Sequence, residues 1–125
     1  MKGICYHPVP KGETERSFEN IDEDLELMVD LGINTIRVYE PIDSLEVLEK
    51  IDAVGIKVIT SFGYNNQDSF DIVSGGFVEY IQKYKEHNAI LIWELGNEYN
   101  YHPEWFGGDI NIWYKTLDIA AGIIQ

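Results

Sequence analysis

A fourfold alternation of short apolar segments with helical patterns constrains the fold of this chain more than any other feature. The apolar segments are short and rich in β-branched and aromatic residues, so they predict strands, at residues 3–7, 34–40, 56–62 and 89–95. Each is followed by apolar residues at helical spacing. Strands that alternate with helices form a parallel sheet with right-handed crossovers.

Local signals place the four helices. The first presents Ile21, Leu25 and Met28 on one stripe. The second is predicted to begin at a capping pair, Asp43 and Glu46. Ser74 is predicted to cap the third, whose buried face holds Phe77, Ile81 and Tyr84. The fourth is predicted to run to the last residue, with its stripe at Trp113, Leu117, Ala120 and Ile124.

Two architectures fit this pattern. One is a doubly wound open sheet of the flavodoxin type, and the other is half of an eight-stranded α/β barrel, which needs roughly 250 residues in full. The 125 residues are enough for a single domain, residues 1–125. The sequence has neither a G-x-G-x-x-G nor a Walker segment, which an open nucleotide-binding sheet normally carries. This absence counts against an open nucleotide-binding sheet, but on this evidence both architectures stay open.

Charge and composition narrow the possible partners. Nine basic and 22 acidic residues give a net charge of -13, which disfavours nucleic acid and anionic membrane surfaces. No apolar stretch approaches the roughly 18 residues of a spanning helix, and the N-terminus does not resemble a signal peptide, so a cytoplasmic location is expected by default. Cys5 stands alone and is expected in the core. The scattered histidines predict no metal site, and no cofactor is expected.

Polar and aromatic residues collect where the predicted strands end. In a parallel sheet, ligands bind at these carboxyl ends. Aromatic rings, an amide, an arginine and carboxylates suit a neutral polyhydroxylated ligand, because sugars offer both hydroxyls and apolar C–H faces. The residues delivered there are His7, Arg37, Tyr39, Glu40, Phe62, Tyr64, Asn97 and Glu98, followed by Tyr101 and Trp105.

Three segments resemble a known family. The stretch IWELGNE (92–98) resembles the acid/base signature of the large clan of retaining glycoside hydrolases built on (β/α)8 barrels. GINTIRVYEP (32–41) is similar to the second-strand segment of those enzymes, where an arginine reaches into the active site. GICYHPVPKGE (3–13) resembles the opening strand and loop of members that act on β-glucans and related β-glycosides.

Together with the missing phosphate-loop motif, the resemblance predicts a (βα)4 half of a TIM barrel, with strands in the order 1-2-3-4 and all helices on the outer face. It also implies a carbohydrate substrate and a role for each matching residue. Glu98 would be the acid/base, Asn97 would hold the sugar 2-hydroxyl, and Arg37 would line the site. Such an acid must stay partly protonated near neutral pH, and apolar neighbours are expected to raise its pKa. The neighbours expected to do so are the apolar run 90–95 before Glu98 and the flanking rings of Tyr99, Tyr101 and Trp105. Substrate contacts are also expected from Tyr39, His7, Tyr64, Tyr101 and Trp105.

The sequence departs from the family in one respect. The family's nucleophile is a glutamate at the end of strand seven, whereas four strands are predicted here. Glu40 would be roughly 10 Å from Glu98, at about 4.8 Å per strand, a separation closer to that of an inverting pair than the 5–5.5 Å of a retaining pair. The chain is therefore interpreted as the N-terminal half of such a barrel, truncated or able to associate with a C-terminal half. Self-association is also predicted, since an uncovered concave face would expose some of Ile4, Ile36, Val38, Ile59 and Ile92.

Other interpretations stay open at this point. The chain could be a non-catalytic carbohydrate-binding half-barrel, or a flavodoxin-like module that binds a phosphorylated ligand or a protein. Arg37 could be a structural ion-pair partner, and Glu94, in mid-strand, could face the barrel interior and supply the other half of that pair. The histidines and aromatic rings could pack in loops. Glu98, Asn97 and Arg37 are predicted to converge on one rim. Titration with sugars would separate the flavodoxin-like module from the other two interpretations, and supplying the missing half and testing an aryl β-glycoside would separate those two.

Overall fold

The computed structural model describes residues 1–63 and 69–125, in which strands and helices alternate as predicted. The strands are β1 (Gly3–Cys5), β2 (Thr35–Val38), β3 (Lys57–Phe62) and β4 (Ile90–Leu95). The helices are α1 (Ile21–Asp30), α2 (Leu45–Ala53), α3 (Phe77–Tyr84) and α4 (Ile110–Ile124), with two short 3-10 turns at Tyr99–Tyr101 and Pro103–Phe106. In these described ranges no helix has the length and apolarity needed to cross a membrane.

The four strands form one parallel sheet in the order β1-β2-β3-β4, as predicted. This sequential order differs from that of a flavodoxin-like sheet, in which the first strand lies between the second and the third. Cys5 pairs with Arg37, Arg37 with Ile59, and Ile59 with Ile92. A bulge at Leu91 shifts the register between β3 and β4.

The register divides the sheet into two unlike faces, because paired residues of parallel strands point to the same side. One face, called the covered face here, consists of fully buried side chains: Ile36, Val38, Val58, Thr60 and Phe62. The other, called the open face, presents Cys5, Arg37, Ile59, Ile92 and Glu94. Of these, Cys5 and Ile92 are exposed and the other three are partly buried.

The hydrophobic core lies against the covered face. One cluster joins its side chains to buried residues of all four helices, among them Leu25, Leu48, Tyr80 and Trp113. Phe62 meets Phe77 and Tyr80 of α3 edge-on, with ring centroids 5.7 Å apart in both pairs. The Tyr80 hydroxyl donates to the Ile42 carbonyl at 2.8 Å, so a buried polar group has its partner.

Two helix starts differ from the predictions. Ser44, not Asp43, caps α2, and its hydroxyl accepts from the Val47 amide at 3.3 Å. Asp43 instead accepts from Lys83 and Tyr84, each at 2.7 Å. The helix α3 begins two residues later than a Ser74 cap would place it, and Gly76 stands at its N-cap position.

The register decides which of the residues named for the exposed concave surface are exposed, and it shows that one burial prediction was wrong. Ile36 and Val38, two of the five residues from which that surface was expected to draw, belong to the covered face and are fully buried. Cys5 was expected in the core, yet it is exposed because it lies on the open face of the edge strand β1. Ile4 and Ile92 do remain exposed, at 41% and 44%.

Candidate functional site

Arg37 at the end of β2 is the centre of the candidate site. Its Nε donates to Glu94 Oε2 and its Nη2 donates to Glu94 Oε1, both at 2.6 Å. This bidentate pair fixes the guanidinium plane and spans β3, because β2 and β4 are not neighbours in the sheet. Hydrogen bonding to Glu94 raises the pKa of Arg37 and keeps its charge in place. The predicted pairing of Glu94 with Arg37 is confirmed.

The same guanidinium orients Asn97. Arg37 Nη2 donates to Asn97 Oδ1 at 3.0 Å. Since a guanidinium has donors and no acceptor, the amide atom that faces it has to be the oxygen. The Asn97 amide nitrogen, with its two N–H donors, is therefore the part that remains for a ligand, and the side chain is partly exposed.

Two further predicted residues join this group through their rings. Arg37 Cζ lies 4.9 Å from the centre of the Tyr39 ring, a cation–π distance. The His7 ring meets Tyr39 edge-on at 6.1 Å. The structure thus brings His7, Arg37, Tyr39 and Asn97 together at the carboxyl ends of β1, β2 and β4.

Glu98 directly follows Asn97 and has an unusual backbone conformation. With φ 58° and ψ 19° it is the one non-glycine residue at positive φ in the two described ranges. Its side chain is exposed, so the apolar enclosure expected from Tyr101 and Trp105 is not formed. The reason lies in the rings themselves, since Tyr101 is 73% exposed and Trp105 packs elsewhere.

The aromatic residues after Glu98 form a stack of their own. Trp105 lies almost parallel to His102, with centroids 4.1 Å apart and an interplanar angle of 7°. His102 Nδ1 lies 2.8 Å from Glu104 Oε1, and this contact lowers the pKa of Glu104. Trp105 also meets Tyr99 edge-on at 4.9 Å. Loop packing therefore accounts for the Trp105 position. The predicted site residue Tyr64 lies outside the described residues.

Glu40, considered as a second carboxylate, is paired with an arginine. Arg16 donates to the carbonyls of Glu40 and Pro41 at 2.7 and 2.9 Å, and its Nε is 3.8 Å from Glu40 Oε2. These residues line an open groove of about 620 Å³ together with Phe18 and Phe70. Glu40, in the β2–α2 connection, therefore has a structural partner in Arg16 of the β1–α1 connection.

Sequence reasoning missed Asp71 and assigned Tyr99 only a general apolar role. The Tyr99 hydroxyl donates to Asp71 Oδ1 at 2.7 Å, and both residues are buried, with 1% and 2% of their surface exposed. Asp71 lies in a connection without a recognisable motif. A usable signal was Gly63 after β3, because a residue without a Cβ leaves room there for the Tyr99 ring. Among residues 1–63 and 69–125, no group of three His, Cys, Asp or Glu side chains could hold a metal ion.

Comparisons with known proteins bear on this arrangement. The chain is 28% identical over 92 residues to a protein of Formosa agariphila that carries the provisional name beta-glucuronidase, over 70% of this chain and 11% of that protein. A crystal structure of the beta-glucuronidase of Parabacteroides merdae matches with a TM-score of 0.58 at 25% identity, over 78% of this chain and 13% of that one. No family model matches the chain.

Two more solved structures share the fold. A second structure of the Parabacteroides merdae enzyme, with glycerol in its active site, has a TM-score of 0.60 at 24% identity. A glycosyl hydrolase family 2 member from Bacteroides cellulosilyticus has a TM-score of 0.54 at 23% identity, over 78% of this chain and 14% of that one. The proteins named here thus carry the names of beta-glucuronidases or of a glycosyl hydrolase, and the chain spans between 11% and 14% of their lengths.

Proposed function

We propose that this chain is the N-terminal (βα)4 part of a retaining glycoside hydrolase, with Glu98 as its acid/base residue. The observation that carries the proposal is the hydrogen-bonded group of Arg37, Glu94 and Asn97. Asn97 of this group directly precedes Glu98 at the carboxyl edge of the sheet. The sequential strand order and the single covered face support a half-barrel with its helices outside. The similarity to beta-glucuronidases supports the reaction class.

The bonded group defines what this part of the site offers a sugar. Asn97 presents N–H donors, which suit the oxygen of a sugar hydroxyl. Arg37 contributes indirectly, because Glu94 and Asn97 use its Nε and Nη2 and thereby fix the amide. Tyr39 and His7 extend the rim next to it and provide ring surfaces for the sugar's C–H faces.

The proposed chemistry needs a second carboxylate. In a retaining enzyme the acid protonates the leaving oxygen while a nucleophile about 5–5.5 Å from the acid attacks the anomeric carbon. The acid then acts as a base and activates the water that releases the sugar. Glu40 is bound by Arg16, so we propose that the nucleophile comes from a segment outside these 125 residues, as in the family that the sequence resembles.

The proposed substrates are β-glycosides, with an aryl β-glucuronide as the first to be tried because of the names of the relatives. The test uses these residues joined to strands five to eight. Glu98→Gln is expected to lower turnover by several orders of magnitude on substrates with poor leaving groups, and far less on activated aryl glycosides. Only poor leaving groups need protonation as the bond breaks.

A matched control for this test is Glu86→Gln, which changes an exposed carboxylate in the turn after α3. It should leave turnover unchanged on both substrate classes. Equal losses of turnover for Glu98→Gln on both substrate classes would contradict the acid role, however large those losses were.

A second candidate is carbohydrate binding without chemistry. It is favoured by the pairing of Glu40 with Arg16, which leaves Glu98 as the candidate catalytic carboxylate among the rim residues described above. Titration of the chain with methyl β-D-glucoside, followed by NMR, tests binding alone. Binding by the chain together with inactivity of the joined protein would favour this candidate.

The open face and the edge strand β4 support a further part of the proposal. Leu91 and Ile92 are exposed there, next to unpaired backbone groups of an edge strand. We propose that a C-terminal half-barrel covers this surface, or that a second copy does so when the chain is isolated. Light scattering should then show species heavier than 14.4 kDa at micromolar concentration, and a stable monomer would contradict this part.

A further inference from the structure

The backbone of Glu98 adopts a conformation that its own chemistry disfavours. At φ 58° and ψ 19° the residue is left-handed, and a side chain there crowds the following carbonyl. Such residues persist where the surrounding structure holds them, and they cluster at functional sites. The adjacent residues on both sides therefore need to be considered.

Tyr99, the next residue, is among the most firmly packed in the molecule. Its ring has 1% of its surface exposed and lies 4.5 Å from the ring of Trp113 and 6.1 Å from that of Phe106. Trp105 contacts it edge-on. An exposed, left-handed residue is thus attached directly to a buried aromatic anchor.

The Tyr99 side chain lies against two residues of the β3–α3 connection, Asp71 and Gly63. Asp71 accepts from the Tyr99 hydroxyl with Oδ1, and its Oδ2 accepts from the Ser74 amide at 2.9 Å, so the carboxylate is bonded at both oxygens. Gly63 has no side chain, and a Cβ built there would overlap the Tyr99 phenol. The position of the Tyr99 ring is therefore fixed, and a shift of the Tyr99 backbone would break the hydrogen bond to Asp71.

We propose that Tyr99 and Asp71 are positioning residues that hold Glu98 in its left-handed conformation. A change to right-handed φ and ψ at residue 98 would turn its Cα–Cβ bond relative to Asn97 and move the carboxylate away from the rim. The buried Tyr99–Asp71 bond opposes that change from the C-terminal side. A catalytic role for this arrangement rests on the proposed function. The stabilisation of the left-handed Glu98 backbone by Tyr99 and Asp71 does not.

The first test compares glycine with alanine at position 98 in the full 125-residue chain. Glycine tolerates positive φ, whereas alanine does not, so Glu98→Gly should melt a few degrees above Glu98→Ala. Without a held left-handed backbone the order reverses, because glycine loses more entropy on folding. In a Tyr99→Phe background the difference should shrink, and in Tyr99→Leu it should vanish or reverse.

A second readout follows the backbone of residue 98 directly. Its ¹³Cα and ¹³Cβ shifts, recorded with Glu98 intact, should move from left-handed toward right-handed values in Tyr99→Phe. Leu48→Ala, which destabilises the chain through α2, should leave those shifts unchanged. This control separates positioning from a general loss of stability, and Tyr99→Phe keeps the test available if Tyr99→Leu does not fold.

Binding of methyl β-D-glucoside by the same variants tests whether the left-handed backbone of Glu98 matters to the proposed sugar site. We expect the dissociation constant to rise severalfold in Tyr99→Phe and to stay unchanged in Leu48→Ala. An unchanged glycine–alanine difference together with unchanged shifts in Tyr99→Phe would overturn the inference. A parent chain that binds no sugar would count against the proposed function alone, since melting and shifts still decide the positioning.

Discussion

The covered face and the open face are made of alternate residues of the same four strands, yet they differ in almost every physical property. Ile36 and Val38 on β2 are fully buried among helix side chains, while Arg37 between them is only partly buried and forms an ion pair. On the covered face contacts are apolar and numerous. On the open face the contact that crosses the sheet is the charged bridge from Arg37 to Glu94.

This difference separates where the chain gains stability from where it can do chemistry. Parallel sheets are normally covered on both faces, so a face that carries exposed Ile92 beside an ion pair is unusual for a finished domain. In a closed barrel such a face is filled by layers of side chains from all strands. The open face therefore agrees with the proposal that further strands complete it, and changes to the two faces should have different consequences.

The largest expected effect is on the covered face. Phe62→Ala removes a fully buried ring that contacts α3 and stacks on Trp93, and should cost about 3–5 kcal/mol of unfolding free energy. Ile92→Ala on the open face should cost about 1 kcal/mol, because that side chain is already partly in water. Urea unfolding followed by tryptophan fluorescence measures both. Equal costs would remove the energetic distinction between the faces.

The next effect concerns two glycines at positive φ, one before and one after β3. Gly63→Ala both strains a positive φ and overlaps the Tyr99 ring, so it should cost about 2–4 kcal/mol. Gly55→Ala is the matched control, since φ is +77° there but no atom lies within 4 Å of the added carbon. It should cost about 1–2 kcal/mol. Thermal melts of the two variants measure the difference, which should disappear in a Tyr99→Ala background.

The ion pair of the open face should matter less to stability than to binding. Arg37→Met leaves the Glu94 carboxylate without its guanidinium and should cost about 1–3 kcal/mol. Adding Glu94→Leu should recover most of that loss, because an apolar pair of similar size replaces a partly buried ion pair at little cost. The double variant should still fail to bind methyl β-D-glucoside, since Asn97 has lost its partner. Restored binding in the double variant would show that the group is structural.

The strand–helix alternation was enough to predict the main features of the sheet. Periodicity predicted the four strands, and the barrel resemblance together with the missing phosphate-loop motif predicted their order. The polar residues at the predicted strand ends pointed to the edge where His7, Arg37, Tyr39 and Asn97 meet. The alternation of apolar and charged residues at Ile36, Arg37 and Val38 also indicates that the sheet has two unlike faces. The pattern left undecided which of these residues are exposed, because it does not say which face the helices cover.

Other features depend on contacts between segments far apart in the chain. The Tyr99–Asp71 bond joins residues 28 positions apart, and a lone aspartate in a loop gives no signal of burial. The choice of Ser44 over Asp43 as helix cap was equally unpredictable, since both residue types cap well. Asp43 accepts hydrogen bonds from Lys83 and Tyr84 of α3 and does not cap α2, and a local sequence pattern does not reveal these contacts.

That contact of Asp43 gives the smallest expected effect, and it concerns the helix layer rather than either face. Hydrogen bonds from Lys83 and then Tyr84 lower the pKa of Asp43, so the folded state binds its proton less readily than the unfolded chain does. The contribution is therefore complete above the unfolded pKa of about 3.9 and is lost as the pH falls through the lower folded value. Because the pair is exposed to water, Asp43→Asn should cost under about 1 kcal/mol at pH 7. Urea unfolding of parent and variant should converge near the acid limit. In a Lys83→Met background the cost at pH 7 should shrink, whereas a cost independent of both pH and Lys83 would show that Asp43 acts through the backbone of the β2–α2 connection.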